Sequence, residues 1–539
     1  MLAGLAAGAG TVLAGGGAPA AQRAAPGDAA SEIAHFKAVL PELWDVTAPP
    51  QHSAHLVIGS GFGGAITALR LAKAGESVTV LERGFKWPTS PWRDTFSNDQ
   101  VPDGRAFWYR TSAKMIAGDT TTFNSFGGIV DVSEFPNMTA WHGACVGGGS
   151  MVFTGCMIEP EQKYFEAIFG SNVTYDEMHR IYYPRVRKML NLRTIPLDLY
   201  WSSPFGHSRE WDREVSAAGY TPTPSDSIFN WDVVRAENWG LSRASATVGL
   251  SNHGNSNGAK FDLNQNYLKY AQASGRAKVH PGFEVLNIAR QGNGYAVHGF
   301  LRTPDNHVLK VMTLTCDRLY LAAGSIGTTN LLVKAQALGD LPDLNAAVGQ
   351  GWGSNGDTIV VRSGGWVTGL TEGTPSASRI HEPTLGGLPL TLENWYVPGL
   401  PINIGVIPSL GMAFDQTNRG SFTYDPKSGR AELAWAAGGN DDAVAASRIV
   451  NNKICDASNT TPGIEPFMPD VGARNWTAHP LGGVVIGEAT DSYGRVDGYQ
   501  GLYVMDGALI PGTTGAVNPS LTISALAERN IEAIIKNGG

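Results

Sequence analysis

The sequence predicts an α/β protein whose first unit is a Rossmann-like dinucleotide-binding fold, and two local observations carry that prediction. An apolar strand, a glycine-rich turn and an apolar-faced helix succeed one another over residues 55–72, and a second apolar strand ends on an acid, Glu82. Length adds a third constraint. At roughly 100–200 residues per domain, 539 residues require at least one further packed unit.

Residues 1–30 are Ala/Gly-rich, uncharged until Arg23, and contain Ala18-Pro19-Ala20-Ala21, a small-residue stretch suited to signal cleavage. They read as a signal-like or disordered segment outside the fold. A secreted protein is expected, with a cytoplasmic one bearing a disordered tail as the alternative. The apolar part falls short of the about 20 residues a spanning helix needs, so no transmembrane segment is expected.

His55-Leu56-Val57-Ile58 is the first strand, Gly59-Ser60-Gly61-Phe62-Gly63-Gly64 the turn, and Ala65–Ala72 the helix. Gly59 allows the tight turn, Gly61 lets backbone approach a pyrophosphate, and Gly64 lets helix pack on strand. The helix N-terminus then faces the phosphates. Ser77–Leu81 is the second strand, and Glu82 behind it suits a ribose 2′-hydroxyl. This fingerprint serves FAD and NAD alike, so later segments must choose.

Gly147-Gly148-Gly149-Ser150 offers successive backbone N–H groups free of side chains, a form suited to a pyrophosphate or an isoalloxazine edge. Arg318–Leu321 is a strand running into Ala322-Ala323-Gly324-Ser325, with a helix expected from Thr328. Leu502–Met505 is another apolar strand and stops at Asp506-Gly507. In the last helix Asn518 reads as N-cap and Pro519 as first residue, which aims a partial positive charge at a flavin pyrimidine ring.

Composition narrows the classes. A net charge of −8 without a dense basic run argues against a nucleic-acid partner. Cys145, Cys156, Cys316 and Cys455 lack C-x-x-C spacing, so no metal site is expected. Buried free thiols and a single disulfide both remain open. Trp201, Phe205, Phe229, Trp231 and Trp239 are read as the roof of an apolar pocket, or as plain core.

Together with Val348–Gly353, His479-Pro480-Leu481-Gly482-Gly483 and Asn518-Pro519 through Asn530, these motifs resemble the glucose-methanol-choline (GMC) oxidoreductases, and within them the flavin-dependent bacterial cholesterol oxidases. The resemblance spans about His55 to Lys536. It implies a GMC fold: a Rossmann-like FAD-binding domain from 50–165, 276–356 and 470–539, and a discontinuous substrate domain from 166–275 and 357–469 with an antiparallel sheet as its floor. FAD is implied as cofactor, held by Gly59, Gly61, Phe62, Gly63, Gly64, Glu82, Gly147, Gly148, Gly149, Ser150, Phe153, Val285, Ala323, Gly324, Asp506, Gly507, Asn518 and Pro519. Some relatives attach FAD to a His near the Gly-rich loop; the register of His142 does not suit that role, so non-covalent FAD is expected.

By the same resemblance His479 and Asn518 flank the reactive face of the flavin, and Glu393, in Thr391–Pro398, serves as a base for steroid double-bond migration. A neutral imidazole assists removal of the hydroxyl proton, and an amide holds the oxygen. The implied reaction is oxidation of a hydrophobic alcohol, sterol or other, with O2 reduced to H2O2. Alternatives are a dehydrogenase using another acceptor and a cholesterol oxidase with isomerase activity. Two departures, Phe153 in place of an Asn and one residue added in Gly515–Asn518, imply an altered pocket. A monomer acting on a small-molecule alcohol is expected.

Overall fold

Val, Leu and Ile dominate the strands His52–Ile58 and Val78–Glu82. In the computed structural model, which describes residues 27–114, 120–364, 371–396, 405–463 and 475–537, these strands pair in parallel, His55 beside Val78 and Ile58 beside Leu81. Val78–Glu82 is buried along its whole length, as a strand covered on both faces must be. The sheet they found has the order Ala277–Pro281, Val78–Glu82, His52–Ile58, Val308–Leu321, Gly294–Arg302, Phe283–Gln291, and Leu502–Val504 also pairs with Val308–Leu321. Val308–Leu321 links two regimes: its earlier part pairs antiparallel with Gly294–Arg302, and Leu319–Leu321 pairs in parallel with both His52–Ile58 and Leu502–Val504.

Glycines set the distance of helix from sheet. Gly59 has φ +98°, and an added Cβ would collide with the carbonyl oxygen of Ala322; one on Gly64 would collide with that of Gly59. The helix Phe62–Lys73 thereby sits close to the strands and packs against Ser520–Lys536. Arg70 joins them through a two-pronged bond to Glu528, Nε to Oε2 at 2.6 Å and Nη2 to Oε1 at 2.7 Å. Glu528 is fully buried and also accepts from Tyr267 Oη at 2.8 Å. Removing one partner of such a buried pair costs about 3–5 kcal/mol.

A second sheet is antiparallel throughout, in the order Thr461–Pro462, Asp357–Ser363, Val406–Ala413, Leu390–Asn394, Ser378–Glu382, Thr223–Pro224. The helices Gly206–Ala217 and Asp441–Ser458 pack on it. Arg362, fully buried, clamps both to it, donating to Glu214 Oε2 at 2.6 Å and to Asn451 Oδ1 at 2.9 Å. The α/β class and the antiparallel second sheet are as the sequence predicts.

Several sequence expectations need correction. The helix placed from Thr328 begins at Gly324, because the remote carboxylate of Asp506 accepts from Gly324 N at 2.9 Å and Thr328 Oγ1 at 2.5 Å and so orders its first turn. The last helix begins at Ser520 with Pro519 at the cap position, and Asn518 makes no capping bond. At the N-terminus, residues 1–26 lie outside the described residues, but Ala29–Val39 is a helix capped by Asp28 and anchored by buried Phe36. The end of the segment set aside at residue 30 therefore belongs to the fold. All four cysteines are buried and free. Phe205, Phe229 and Trp231 are core, whereas Trp201 and Trp239 are 69% and 70% exposed. None of the five lines the main cavity. No helix among the described residues is long and apolar enough to cross a membrane.

Candidate active site

One cavity of about 1060 Å³ runs along the ends of the parallel strands to the antiparallel sheet. Of the expected cofactor residues, Gly59, Gly61, Phe62, Gly63, Glu82, Gly148, Gly149, Phe153, Val285, Ala323, Gly324, Asp506, Gly507 and Pro519 line it. Gly64, Gly147 and Ser150 stand behind its wall and shape it. Gly147 N donates to Ser60 Oγ at 3.1 Å, and Ser150 Oγ donates to Gly147 O at 2.8 Å while accepting from Leu263 N at 3.1 Å. The Gly-rich loop is thus tied to the first turn.

The cradle fits a dinucleotide by what its glycines leave open. A Cβ added at Gly149 or Gly324 meets no protein atom within 4 Å, and one at Gly61 meets only Gly148 Cα, at 4.0 Å. Protein packing does not demand glycine at Gly149; a ligand pressed against the backbone does. Glu82 is buried, with Oε2 accepting from Ser60 N at 3.0 Å and Oγ at 2.7 Å and Oε1 from Gly84 N at 2.9 Å. That places its carboxylate at the strand end, where a ribose is bound. Asp506 is also buried. Desolvation pushes its carboxyl up to about 6 against three hydrogen bonds, from Thr328, Ala508 and Gly324, that act to lower it.

His479, Trp395 and Leu410 line the far end of the cavity. His479 Nδ1 lies 2.8 Å from Asp357 Oδ1, which leaves Nε2 for the cavity. Asp357 is buried at the start of its strand, and its Oδ2 accepts from Ala478 N at 3.0 Å and Thr477 Oγ1 at 2.9 Å. Burial acts to lower the His479 pKa, but the charge and hydrogen bond of Asp357, with a further contribution from Glu393, outweigh it and hold the group above its ordinary 6.5.

Glu393 and Asn518 are both buried and do not themselves line the cavity. Asn518 Nδ2 donates to Glu393 Oε2 at 3.4 Å, while Asn518 Oδ1 is buried without a partner. Glu393 sits opposite Leu410 in the strand register, so it lies on the cavity side of the sheet. Burial raises its carboxyl above the usual range against donors that lower it: Ser376, Cys156 and Asn518, and the charge of His479. The turn ahead of Asn518 is held by Asn355, which donates to Val517 O at 3.0 Å and accepts from Thr514 N at 2.9 Å.

His142 lines the cavity too, but both ring nitrogens are engaged: Nδ1 lies 3.3 Å from Arg83 Nη2 and Nε2 2.8 Å from Ser133 Oγ. Burial takes its pKa down to about 4.

Sequence reading missed Asp357, Asn355, Ser376 and Cys156. Asp357 carried a usable signal, an acid directly before the apolar run Thr358–Val361 and just after the segment Val348–Gly353. The others carried none, since their partners lie more than 15 residues away.

Residues 430–527 match the family described as GMC oxidoreductase. The C-terminal segment is thus similar to that of the GMC oxidoreductases. Similarity continues through the chain: it is 28% identical to a cholesterol oxidase of Mycobacterium tuberculosis over 88% of this chain and 89% of that protein. With a cholesterol oxidase of Acinetobacter baumannii it shares 25% identity over 89% and 94%. In fold it is similar to pyridoxine 4-oxidase from Mesorbium loti, with a TM-score of 0.60 and 15% identity over 89% of this chain and 99% of that one. A fungal aryl-alcohol oxidase gives 0.58 and 14%, over 91% and 100%. The GMC fold accounts for both sheets, and FAD is the dinucleotide its cradle fits.

Proposed function

We propose that this flavin-dependent oxidoreductase acts on CH–OH donors by oxidising a hydrophobic alcohol to the aldehyde or ketone, with O2 as the electron acceptor. The observation that carries the reading is the Asp357–His479 pair at the cavity end, backed by Glu393 and Asn518. FAD, held without a covalent bond by the Gly59–Gly64 turn, Glu82 and the Gly147–Ser150 loop, supplies the hydride acceptor when bound.

The chain's own residues do the proton chemistry. Asp357 accepts from Nδ1–H of His479 and so fixes the tautomer whose Nε2 has a free lone pair. Nε2 takes the hydroxyl proton as the C–H bond breaks, and the resulting imidazolium is stabilised by Asp357 2.8 Å away. Asn518 keeps a second Nδ2 hydrogen and an unpartnered Oδ1 with which to orient the substrate oxygen. Trp395, Leu410 and Trp476 make the walls of this end apolar, which supports a hydrophobic substrate. For a sterol, Glu393 is the base that moves the ring double bond; burial raises the proton affinity of its carboxylate, which favours that reading.

Peroxide-coupled screening of the purified holoenzyme against sterols, aryl alcohols, aliphatic alcohols and sugars tests this. Peroxide from apolar alcohols is the expected result. Turnover only with an added dye acceptor makes the enzyme a dehydrogenase, and turnover of sugars alone overturns the substrate class. We further propose export, tested by sequencing the N-terminus of protein recovered from medium; an intact Met1 found only inside cells refutes it.

A further inference from the structure

We propose that Cys156 and Ser376 are positioning residues for Glu393, dividing its carboxylate into one oxygen held by the Ser376 hydroxyl and one left to exchange a proton. The inference rests on the reading of Glu393 as a base and goes beyond it by assigning the proton to one atom. Oε2 accepts from Ser376 Oγ at 3.0 Å and from Asn518 Nδ2 at 3.4 Å. Among the described residues, Oε1 accepts only from Cys156 Sγ, at 3.4 Å. A thiol is a weak donor, so Oε1 is the oxygen whose lone pair is least committed.

Two features mark this as a built arrangement. Ser376 holds φ +64°, a left-handed conformation that a side-chain-bearing residue adopts only when its surroundings hold it there. The surroundings are the Glu393 strand itself, since Ser376 N donates to Asn394 O at 2.6 Å. Cys156, for its part, packs with Ile158 and Val517, beside Asn518. Three separate parts of the chain thus send a donor to one buried carboxylate.

The ionisable groups facing Glu393 from neighbouring elements are His479 and Cys156. Arg379, opposite it on the adjacent strand, turns away to donate to Pro224 O at 2.9 Å. No Lys or Arg among the described residues forms an ion pair with Glu393. Hydrogen-bond donors therefore set its proton affinity, and each donor that favours the anion lowers it.

The test is infrared titration of the FAD-loaded full chain, following the carbonyl stretch of the protonated carboxyl assigned by its loss in Glu393→Gln. Ser376→Gly removes a firm donor and relieves the left-handed strain, so the protein folds with undiminished thermal stability while the Glu393 midpoint rises by about 1 pH unit. Cys156→Ala raises it by a smaller step, about half a unit, and Cys156→Ser, which restores a donor, brings it back to or below the wild-type value. Wild-type midpoints in both Ser376→Gly and Cys156→Ala overturn the proposal, as does a Cys156→Ser midpoint equal to that of Cys156→Ala. Absence of sterol double-bond migration in the wild type defeats the base reading separately, because the titration is read without turnover.

Discussion

Asp357→Asn is the most discriminating perturbation of the proposed chemistry, because the surroundings dictate which way the amide must face. Ala478 N, a backbone donor that cannot turn away, lies 3.0 Å from Oδ2. The oxygen of the amide must stay there, which puts its NH2 group at the Oδ1 position, 2.8 Å from His479 Nδ1. Nδ1 then has to accept, the ring proton moves to Nε2, and the nitrogen facing the cavity becomes a donor with no lone pair for the alcohol proton. Loss of general-base assistance costs roughly 10²–10⁴-fold in the rate of flavin reduction. The pH dependence moves as well. In the wild type, His479 is held above 6.5 mainly by Asp357 against burial, so reduction is lost as pH falls through that raised pKa. With the anion gone, burial dominates and the acid limb moves to lower pH, leaving a low, flat plateau. Anaerobic stopped-flow at saturating alcohol reads both quantities without the oxygen step. A wild-type plateau, or an acid limb that stays in place, refutes the assignment of His479 as base and Asp357 as its orienter.

Further outcomes follow from the same geometry. His479→Ala should bind FAD normally, seen in its visible spectrum, yet reduce it roughly 10²–10⁴-fold more slowly. Asn518→Asp sets a second carboxylate about where Nδ2 now lies, 3.4 Å from Glu393 Oε2; the pair then holds a shared proton to higher pH, and infrared titration should show the carboxyl signal persisting there. Gly149→Ala should fold normally, since its Cβ meets no protein atom, but lower FAD affinity on the order of 10–100-fold by equilibrium dialysis. Asp506 carries a carboxyl raised from 3.8 to about 6, so its folded form binds a proton more tightly than its unfolded form. Its contribution is present in full below about pH 4 and lost as pH rises through 6. Denaturant titrations of wild type and Asp506→Asn should therefore show the balance moving against wild type by about 2 kcal/mol between pH 4 and 7.

The cofactor cradle was legible in the sequence because its parts are local. Gly59 to Glu82 is one continuous strand, turn, helix and strand; Gly64 is required by Gly59 five residues away, and Gly59 by Ala322 at the end of the neighbouring strand. The helix starts at Gly324 and Ser520 were not legible, since a carboxylate from another strand sets the first and an Asn committed elsewhere alters the second. Asn518 before Pro519 satisfies every local rule for a cap, and tertiary contact with Glu393 overrides it.

The same distinction explains why His479 was found and Asp357 was not. His479 lies in a Pro-Gly-rich turn with a recognisable pattern, but its chemistry is decided by a residue 122 positions away. Alone, a histidine this enclosed would be driven toward low pKa, as His142 is in the same cavity wall, where burial prevails and takes the ring to about 4. What separates the two rings is the acid. His142 has Arg83 on Nδ1, a cation that counters the nearby Asp131, whereas His479 has Asp357 on Nδ1 and, among the described residues, no cation paired with that acid. Burial pulls both rings down; at His142 the charge of Asp131, opposed by Arg83, does not offset it, whereas at His479 the charge and hydrogen bond of Asp357 do, so His479 is the ring suited to take up an alcohol proton.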